Sequence, residues 1–463
     1  MLETIENFVS VVNGFAWGPP MLILLAGTGL FLTFGIKFMT WRNIGKGFKL
    51  FADPSSHKED KATISPFKAL MTAMSATVGT GNIVGVATAI VLGGPGAVFY
   101  MWLIALVGMA TKYAEAVCAV TYHEKAKTGL FVGGPMYYLK NGVGKKFPIT
   151  GSILAALFAF FGAFAAFGIG NGTQINSMSK NLVNAFGDFV PPLFVGIFFA
   201  VIIGYILFGG IKRIAKVAAS LVPLMIVLYL LGAVVALFIN YDRIPEAFGL
   251  IFYHAFTPSA AVGGFTGATI AAAMRFGVAR GIFSNESGLG SAAIAHGSSN
   301  NTPYRQGVIA MMGTFIDTII VCSMTALVIL TSGAWTELND AGTGGLDAAI
   351  VTGYAFDSAF LGGKYLVTAA LLLFAFTTII GWSYYGERCW QYLFRNTKGL
   401  TSLYVYRIAF ILAIVFFSVQ NTTFVWNVAD TLNGLMALPN IIGLLILSPL
   451  VFKVTKDNMN KRM

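Results

Sequence analysis

The stretch Ser75-Ala76-Thr77-Val78-Gly79-Thr80-Gly81-Asn82-Ile83-Val84-Gly85 lies inside a long apolar segment, 66–92. A glycine in a helix interior costs about 1 kcal/mol relative to alanine. Glycines at 79, 81 and 85 beside Ser, Thr and Asn therefore mark a break in the helix. Backbone released from a helix in hydrocarbon must be satisfied by protein, water or ligand. The half-helix that begins there offers free N–H groups and a positive dipole end, which suit a carboxylate. The carbonyls that end the other half suit a cation. Close helix packing through small residues is the competing explanation, but packing does not need the polar side chains. Gly79-x-Gly81 is not read as a dinucleotide loop, because that motif follows a strand in a βαβ unit.

The rest of the composition places this segment in a membrane. Of 463 residues, 56% are apolar and 11% charged, and Phe supplies 40 positions. So few charges cannot cover the surface of a soluble chain this long. The cysteines, Cys118, Cys322 and Cys389, sit in or beside apolar runs and have no metal-type spacing. They read as small buried hydrophobes. The opening Met1-Leu2-Glu3-Thr4 has no basic region, so no cleavable signal peptide is expected.

A helix needs about 20 mostly apolar residues to cross a bilayer. Eleven candidate spans follow, at 15–36, 66–92, 96–122, 150–183, 191–209, 215–239, 258–281, 304–332, 361–387, 401–420 and 423–452. With the N-terminus outside, the connectors at 37–65, 123–148, 210–216, 282–303, 388–400 and 453–463 face the cytoplasm, and most of them are rich in Lys and Arg. That asymmetry predicts an N-out, C-in protein of the cell membrane. It also directs the net charge of +11 towards anionic lipid rather than nucleic acid.

A second segment, Ser259-Ala260-Ala261-Val262-Gly263-Gly264-Phe265-Thr266-Gly267, shares Ser-Ala-x-Val-Gly with the first. The second segment comes five spans after the first, so the two would enter the membrane from opposite sides. Paired glycine-interrupted segments of this kind point to a secondary transporter's binding site. The expected architecture is an all-α integral membrane protein with a five-plus-five inverted repeat. Residues 1–65 form an extra N-terminal helix and connector, 66–240 the first repeat and 241–463 the second.

Gly93-Gly94-Pro95-Gly96-Ala97 and Lys112-Tyr113-Ala114-Glu115 follow the first break. Together with Ala279-Arg280-Gly281-Ile282-Phe283-Ser284-Asn285-Glu286-Ser287-Gly288-Leu289-Gly290, they resemble the sodium:alanine symporter family, also called alanine or glycine:cation symporters. The resemblance covers the whole chain. It implies the broken-helix fold of the leucine-transporter type and sodium-driven uptake of alanine or glycine. Carried over, the amides around Gly79, Thr80, Gly81 and Asn82 receive the substrate carboxylate. Carbonyls of Ser75 and Val78, with Thr77 beside them, face a sodium ion. The same fold would add the hydroxyls of Thr377 and Thr378 and the carbonyl of Phe374. Gly263, Gly264, Phe265 and Thr266 would receive the amino group.

Other polar residues complete the candidate set. Asn171 and Gln174 lie three apart, on one helix face, and are read as substrate contacts or as interhelical hydrogen bonds. Thr377 and Thr378 are hard oxygen ligands suited to a dehydrated cation. Trp382 lies one turn beyond Thr378, and with Phe265 it would cap a chamber sized for alanine or glycine. Lys112 and Glu115 suggest an ion pair, and Asp317 a proton relay or cation ligand. Arg275, Arg280 and Glu286 are placed towards the cytoplasmic end of their span, as an inner gate or a structural network. No zinc motif, paired carboxylates or Ser/His pair suggests an enzyme or a cofactor. A channel filter is usually built by subunit symmetry, which argues against a channel. Proton coupling and a non-transporting sensor remain as alternatives to sodium symport.

Overall fold

The computed structural model describes residues 12–14, 17–58, 64–126, 129, 131–261, 265–337, 347–394 and 399–459. It is almost entirely helical. The helices run α1 (Pro19–Gly35), α2 (Ile44–Ala52), α3 (Pro66–Thr77), α4 (Val84–Gly93), α5 (Gly96–Thr121), α6 (Pro135–Asn141), α7 (Pro148–Phe167) and α8 (Thr173–Phe186). They continue as α9 (Pro192–Leu207), α10 (Gly210–Ile239), α11 (Ile244–Phe256), α12 (Ile270–Asn285), α13 (Ser291–His296), α14 (Pro303–Thr314) and α15 (Ser323–Ser332). The last are α16 (Ala348–Ala359), α17 (Gly363–Leu393), α18 (Gly399–Ser418) and α19 (Thr422–Met459). A short hairpin pairs Glu124–Lys125 with Phe131–Val132.

Among the described residues, seven helical stretches are long and apolar enough to cross a membrane. The helix ending at Gly35, α5, α10, α17 and α19 are five of them. The other two are α7 with α8 and α14 with α15, each pair joined through a π-helical turn, Gly168–Gly172 and Phe315–Cys322. The expected 66–92 span is two helices, α3 and α4, each too short to cross alone. The expected 258–281 span is displaced. Residues 257–269 are not helical where described, and the helix runs from Ile270 to Asn285.

The burial pattern is the reverse of a soluble protein's. Phe238, Val201 and Ile23 are exposed on the outer surface, while Lys112, Glu115, Asn82, Gln174 and Asp317 are buried. Apolar exteriors face lipid, and polar groups are tolerated only inside the bundle. Helix starts are set locally. Ser65 Oγ accepts from Lys68 N and Thr269 Oγ1 from Ala272 N, each satisfying an N–H that the first turn leaves free. The central helix α5 is buried along most of its length and packs against α12 and α14. Pro439 and Pro449 lie within α19. A proline inside a helix removes one backbone hydrogen bond and bends the chain, and Asn440 follows the first of them.

Candidate substrate and ion site

The first break is real. Helix α3 ends at Thr77, and Val78 is extended, with φ −76° and ψ 94°. A single tight turn, Thr80–Asn82, precedes α4. Two of the released N–H groups are taken by side chains. Gly79 N donates to Asn82 Oδ1 (2.9 Å) and Thr80 N to Gln174 Oε1 (3.1 Å). The Thr80 hydroxyl is buried with no hydrogen-bond partner among the described residues. Gly79 is required by close approach, because a Cβ there would lie 2.5 Å from Thr378 Oγ1.

An oxygen cluster sits beside this break, where α3 meets α17. Thr378 Oγ1 lies 3.3 Å from the Val78 carbonyl and 2.9 Å from that of Phe374. Thr377 Oγ1 donates to the same Phe374 carbonyl (3.0 Å). Ser75 is in the same contact, since a Cβ on Gly381 would lie 2.7 Å from Ser75 Oγ. An all-oxygen set of hydroxyls and carbonyls is the chemistry of a hard cation such as sodium. Thr77 is not part of the cluster. Its hydroxyl bonds back to Ala73 and Met74, and it lines a small cavity with Lys112 and His296.

The second break lies about twenty residues beyond the expected one. Helix α12 stops at Asn285, Glu286 adopts a left-handed φ of 57°, and α13 begins at Ser291. This segment faces the first. Asp317 joins them: Oδ1 accepts from Asn82 Nδ2 (2.7 Å), and Oδ2 accepts from Ser284 Oγ (2.8 Å). Thr318 Oγ1 donates to Oδ2 as well (2.8 Å). Asn285 Nδ2 reaches Thr318, and its Oδ1 accepts from Ser287 N. Phe283 covers the first break, since a Cβ on Gly81 would lie 3.3 Å from its ring.

Several expectations are corrected by this geometry. Gly263 and Gly264 lie outside the described residues. Phe265 packs on Trp335 and beside Gly94, and Thr266 is exposed. Gly94 stands at the far end of the ten-residue helix α4, ~15 Å from the break at a rise of ~1.5 Å per residue. Phe265 therefore caps no chamber with Trp382, and Phe283 is the aromatic at the break. Trp382 is fully buried, and its indole donates to Glu286 Oε1 (2.7 Å). Gln174 reaches the break, whereas Asn171 donates to the Phe410 carbonyl of α18 (2.8 Å).

The expected Lys112–Glu115 ion pair is absent among the described residues. Glu115 Oε1 instead accepts from Gly288 N (3.1 Å), Gly290 N (3.0 Å) and Asn440 Nδ2 (2.8 Å). Tyr138 in turn donates to Asn440 Oδ1. Lys112 Nζ is buried with no hydrogen bond among the described residues. Arg275 and Arg280 line a cavity with Trp17, ahead of α1, so they lie towards the N-terminal face. Glu286 sits at the break itself, between Ser291 Oγ and Trp382. The residues missed by the sequence reading are Phe283, Ser284, Asn285, Ser287 and Asn440. For Ser284, Asn285 and Ser287 the signal was present in Ser284–Gly290, which is as polar and glycine-bearing as 75–85.

Two facing helix breaks beside an oxygen cluster are the arrangement of a secondary transporter of the leucine-transporter fold. A structure of MhsT in complex with L-phenylalanine aligns with a TM-score of 0.56 at 15% identity, covering 86% of this chain and 99% of that one. A sodium-coupled sialic acid symporter in a substrate-bound outward-open state aligns with a TM-score of 0.57 at 15% identity, over 93% of this chain and 87% of that one. These likenesses concern the fold. The model of the sodium:alanine symporter family matches residues 2–463. The sodium/alanine symporter AgcS of Methanococcus maripaludis is 48% identical over 453 residues, 97% of this chain and 96% of that protein. The chain belongs to the sodium:alanine symporter family.

Proposed function

We propose that this protein takes up alanine, and glycine with it, by sodium-coupled symport through alternating access. The observation that carries this reading is the meeting of the two breaks, with Asn82 and Ser284 held on one carboxylate, next to the Val78–Phe374–Thr377–Thr378 oxygens. Family membership and the similarity to AgcS support sodium and alanine as cargo. Sodium takes the oxygen cluster and holds α3 against α17. The substrate carboxylate meets the start of α4, where Thr80 offers its unpartnered hydroxyl. The ammonium faces the end of α12 at Ser284–Ser287. The close packing of Gly79 on Thr378 and of Gly81 on Ser284 and Phe283 favours a cargo with a small side chain.

In this reading the broken pairs α3/α4 and α12/α13, and the shorter α9 and α18, also cross the membrane. That makes eleven spans, arranged as one extra helix and two inverted sets of five. The N-terminus is outside and the C-terminus in the cytoplasm. A second reading, proton coupling, is favoured by one observation. Asp317 and Glu286 are buried carboxylates with no ion pair among the described residues.

Radiolabelled alanine uptake into proteoliposomes separates the two. We expect uptake with an inward sodium gradient, suppressed by excess cold glycine, and none with a proton gradient in sodium-free buffer. Proton-driven uptake without sodium overturns the sodium assignment. No uptake under either gradient, from protein shown to be folded, overturns the substrate assignment.

A further inference from the structure

The chain between α1 and α3 carries a basic surface that transport itself does not use. Between Glu6 and Asp53 the sequence holds no acidic residue, and Lys37, Arg42, Lys46 and Lys49 all fall in that interval. None of the four forms an ion pair among the described residues. Lys37, Arg42 and Lys49 are exposed, and Lys46 is half-buried, with Nζ 5.5 Å from the centre of the Tyr304 ring. Lys46 and Lys49 lie three apart, on one side of α2. Another side packs on the protein: Gly47 and Leu50 are buried, and a Cβ on Gly47 would collide with Met312 beside α2. Phe48 is exposed at 42%, and Trp41, just ahead of α2, at 39%. The Trp41 indole is fixed by donating to the Leu106 carbonyl of α5 (3.0 Å). Edge contacts from Phe34 to Phe38 and from Phe38 to Trp41, at 5.1 and 5.0 Å, join these rings to the exposed apolar face of α1. Exposed aromatics beside unpaired cations are the pattern of a helix lying in the membrane interface, with rings among acyl chains and cations among headgroups.

We propose that α2, with Lys37 and Arg42, binds the headgroup of an anionic phospholipid, and that the bound lipid raises the transport rate. The effect on rate rests on the reading of the protein as a carrier, and the inner leaflet on the orientation proposed above. Charge selects the occupant. Four cations with no acid among them attract a net negative headgroup, whereas a zwitterionic one brings its own ammonium. The phosphate takes charge-assisted hydrogen bonds from Arg42, Lys46 and Lys49. Each cation near an anionic membrane surface strengthens the attraction about fivefold. The helix is also fastened to both parts of the site. Phe51 packs on Phe67 of α3 (5.3 Å between ring centres), and α3 ends at the oxygen cluster. Phe48 packs on Phe315 (6.1 Å), where the π-helical turn that carries Asp317 begins. Asp53, at the end of α2, pairs with Arg305 of α14 (3.4 Å). A lipid that holds α2 therefore bears on α3 and on the segment that joins the two breaks.

The test places the full-length protein in vesicles of phosphatidylcholine, with and without phosphatidylglycerol. A trace of phosphatidylglycerol with a photoactivatable group near its headgroup is added, and its adducts are mapped by mass spectrometry. We expect adducts on residues 37–52 that excess phosphatidylglycerol suppresses and phosphatidylcholine does not. Arg42→Gln/Lys46→Gln/Lys49→Gln should lower their yield by about tenfold or more. Lys212→Gln/Lys216→Gln/Lys456→Gln removes as many exposed cations elsewhere and should leave the yield unchanged. Sodium-driven alanine uptake by the wild type should be about fivefold faster with phosphatidylglycerol. The first variant should show the slow rate in both mixtures, and that residual uptake shows it to be folded. Adducts that survive in the first variant, or that fall equally in the second, overturn the lipid site. Suppression by free glycerol phosphate as effective as by the lipid also overturns it, in favour of a soluble anion. Equal wild-type uptake in the two mixtures, with the adducts present, overturns the effect on rate. No uptake in either mixture, with the adducts present, removes the carrier reading and leaves the lipid site.

Discussion

The two helix breaks differ in what satisfies their backbone. At Val78–Ile83 the Gly79 and Thr80 N–H groups are taken by neutral amide side chains, and the Thr80 hydroxyl is left over. At Glu286–Gly290 a buried carboxylate, Glu115, accepts from two N–H groups, and Asn440 donates to the Gly288 carbonyl (2.9 Å). Charge-assisted hydrogen bonds are about twice as strong as neutral ones. The second break is therefore pinned to α5 and α19, while the first keeps polar capacity in reserve. A transporter needs both, since cargo cannot occupy groups already saturated by the protein, and an unwound segment with no anchor has no fixed shape. The left-handed φ of 79° at Gly290 shows how strictly the second break is shaped. A side chain there would be strained as well as crowded by Pro135 and Asn440.

Mutations that exchange these properties test the contrast, and the largest effect is expected at the anchor. Glu115→Ala leaves two buried N–H groups unpaired, at about 1–3 kcal/mol each. It should lower the thermal unfolding midpoint in detergent sharply and abolish uptake, while Glu115→Gln, which keeps an oxygen acceptor, should recover most of the midpoint. An unchanged midpoint in Glu115→Ala would show that the second break is not held this way. Next comes Gly79→Ala, whose methyl would collide with Thr378 Oγ1 at 2.5 Å. Uptake should fall by about 100-fold, equivalent to ~2.7 kcal/mol, with the unfolding midpoint close to wild type.

Smaller effects sharpen the assignment of each side. Thr378→Ala removes one hydroxyl from the oxygen cluster. The sodium concentration for half-maximal uptake should rise about tenfold, or ~1.4 kcal/mol, with alanine affinity little changed at saturating sodium. An effect on alanine alone would move the cation elsewhere. Phe283→Ala and Phe265→Ala form the last pair. The first should raise the alanine KM about fivefold, ~1 kcal/mol. The second should stay within about twofold, under ~0.5 kcal/mol. The reverse ranking would restore the 259–267 segment to the site.

The first break was legible from local sequence because its physics is local. Glycine, small hydroxyls and Asn82 in an apolar run disfavour helix wherever that run folds. The second was misplaced because Ser-Ala-x-Val-Gly was matched by identity at 259–263, whereas the break follows polarity and glycine spacing at 284–290. Gln174 was legible as a polar residue on a helix face, but its partner, Thr80 N, is 94 positions away in the chain. Lys112 and Glu115 show the limit of spacing arguments. At i and i+3 they suggest a pair, yet the unwound backbone at Gly288 and Gly290 offers Glu115 better donors than a neighbouring ammonium does.

By itself the sequence determined that this is a polytopic helical membrane protein with an interrupted helix at Val78–Ile83. Hydrophobic length and glycine content act within one segment and need no neighbours. Tertiary structure alone decided which residues share the site. Asp317 joins the two breaks, Thr378 meets the Val78 carbonyl, Phe283 covers Gly81, and Arg280 pairs with Asp430. Each of these contacts joins parts of the chain far apart in sequence. In a bilayer interior every polar group seeks whichever partner packing brings within reach, and no local pattern encodes that choice.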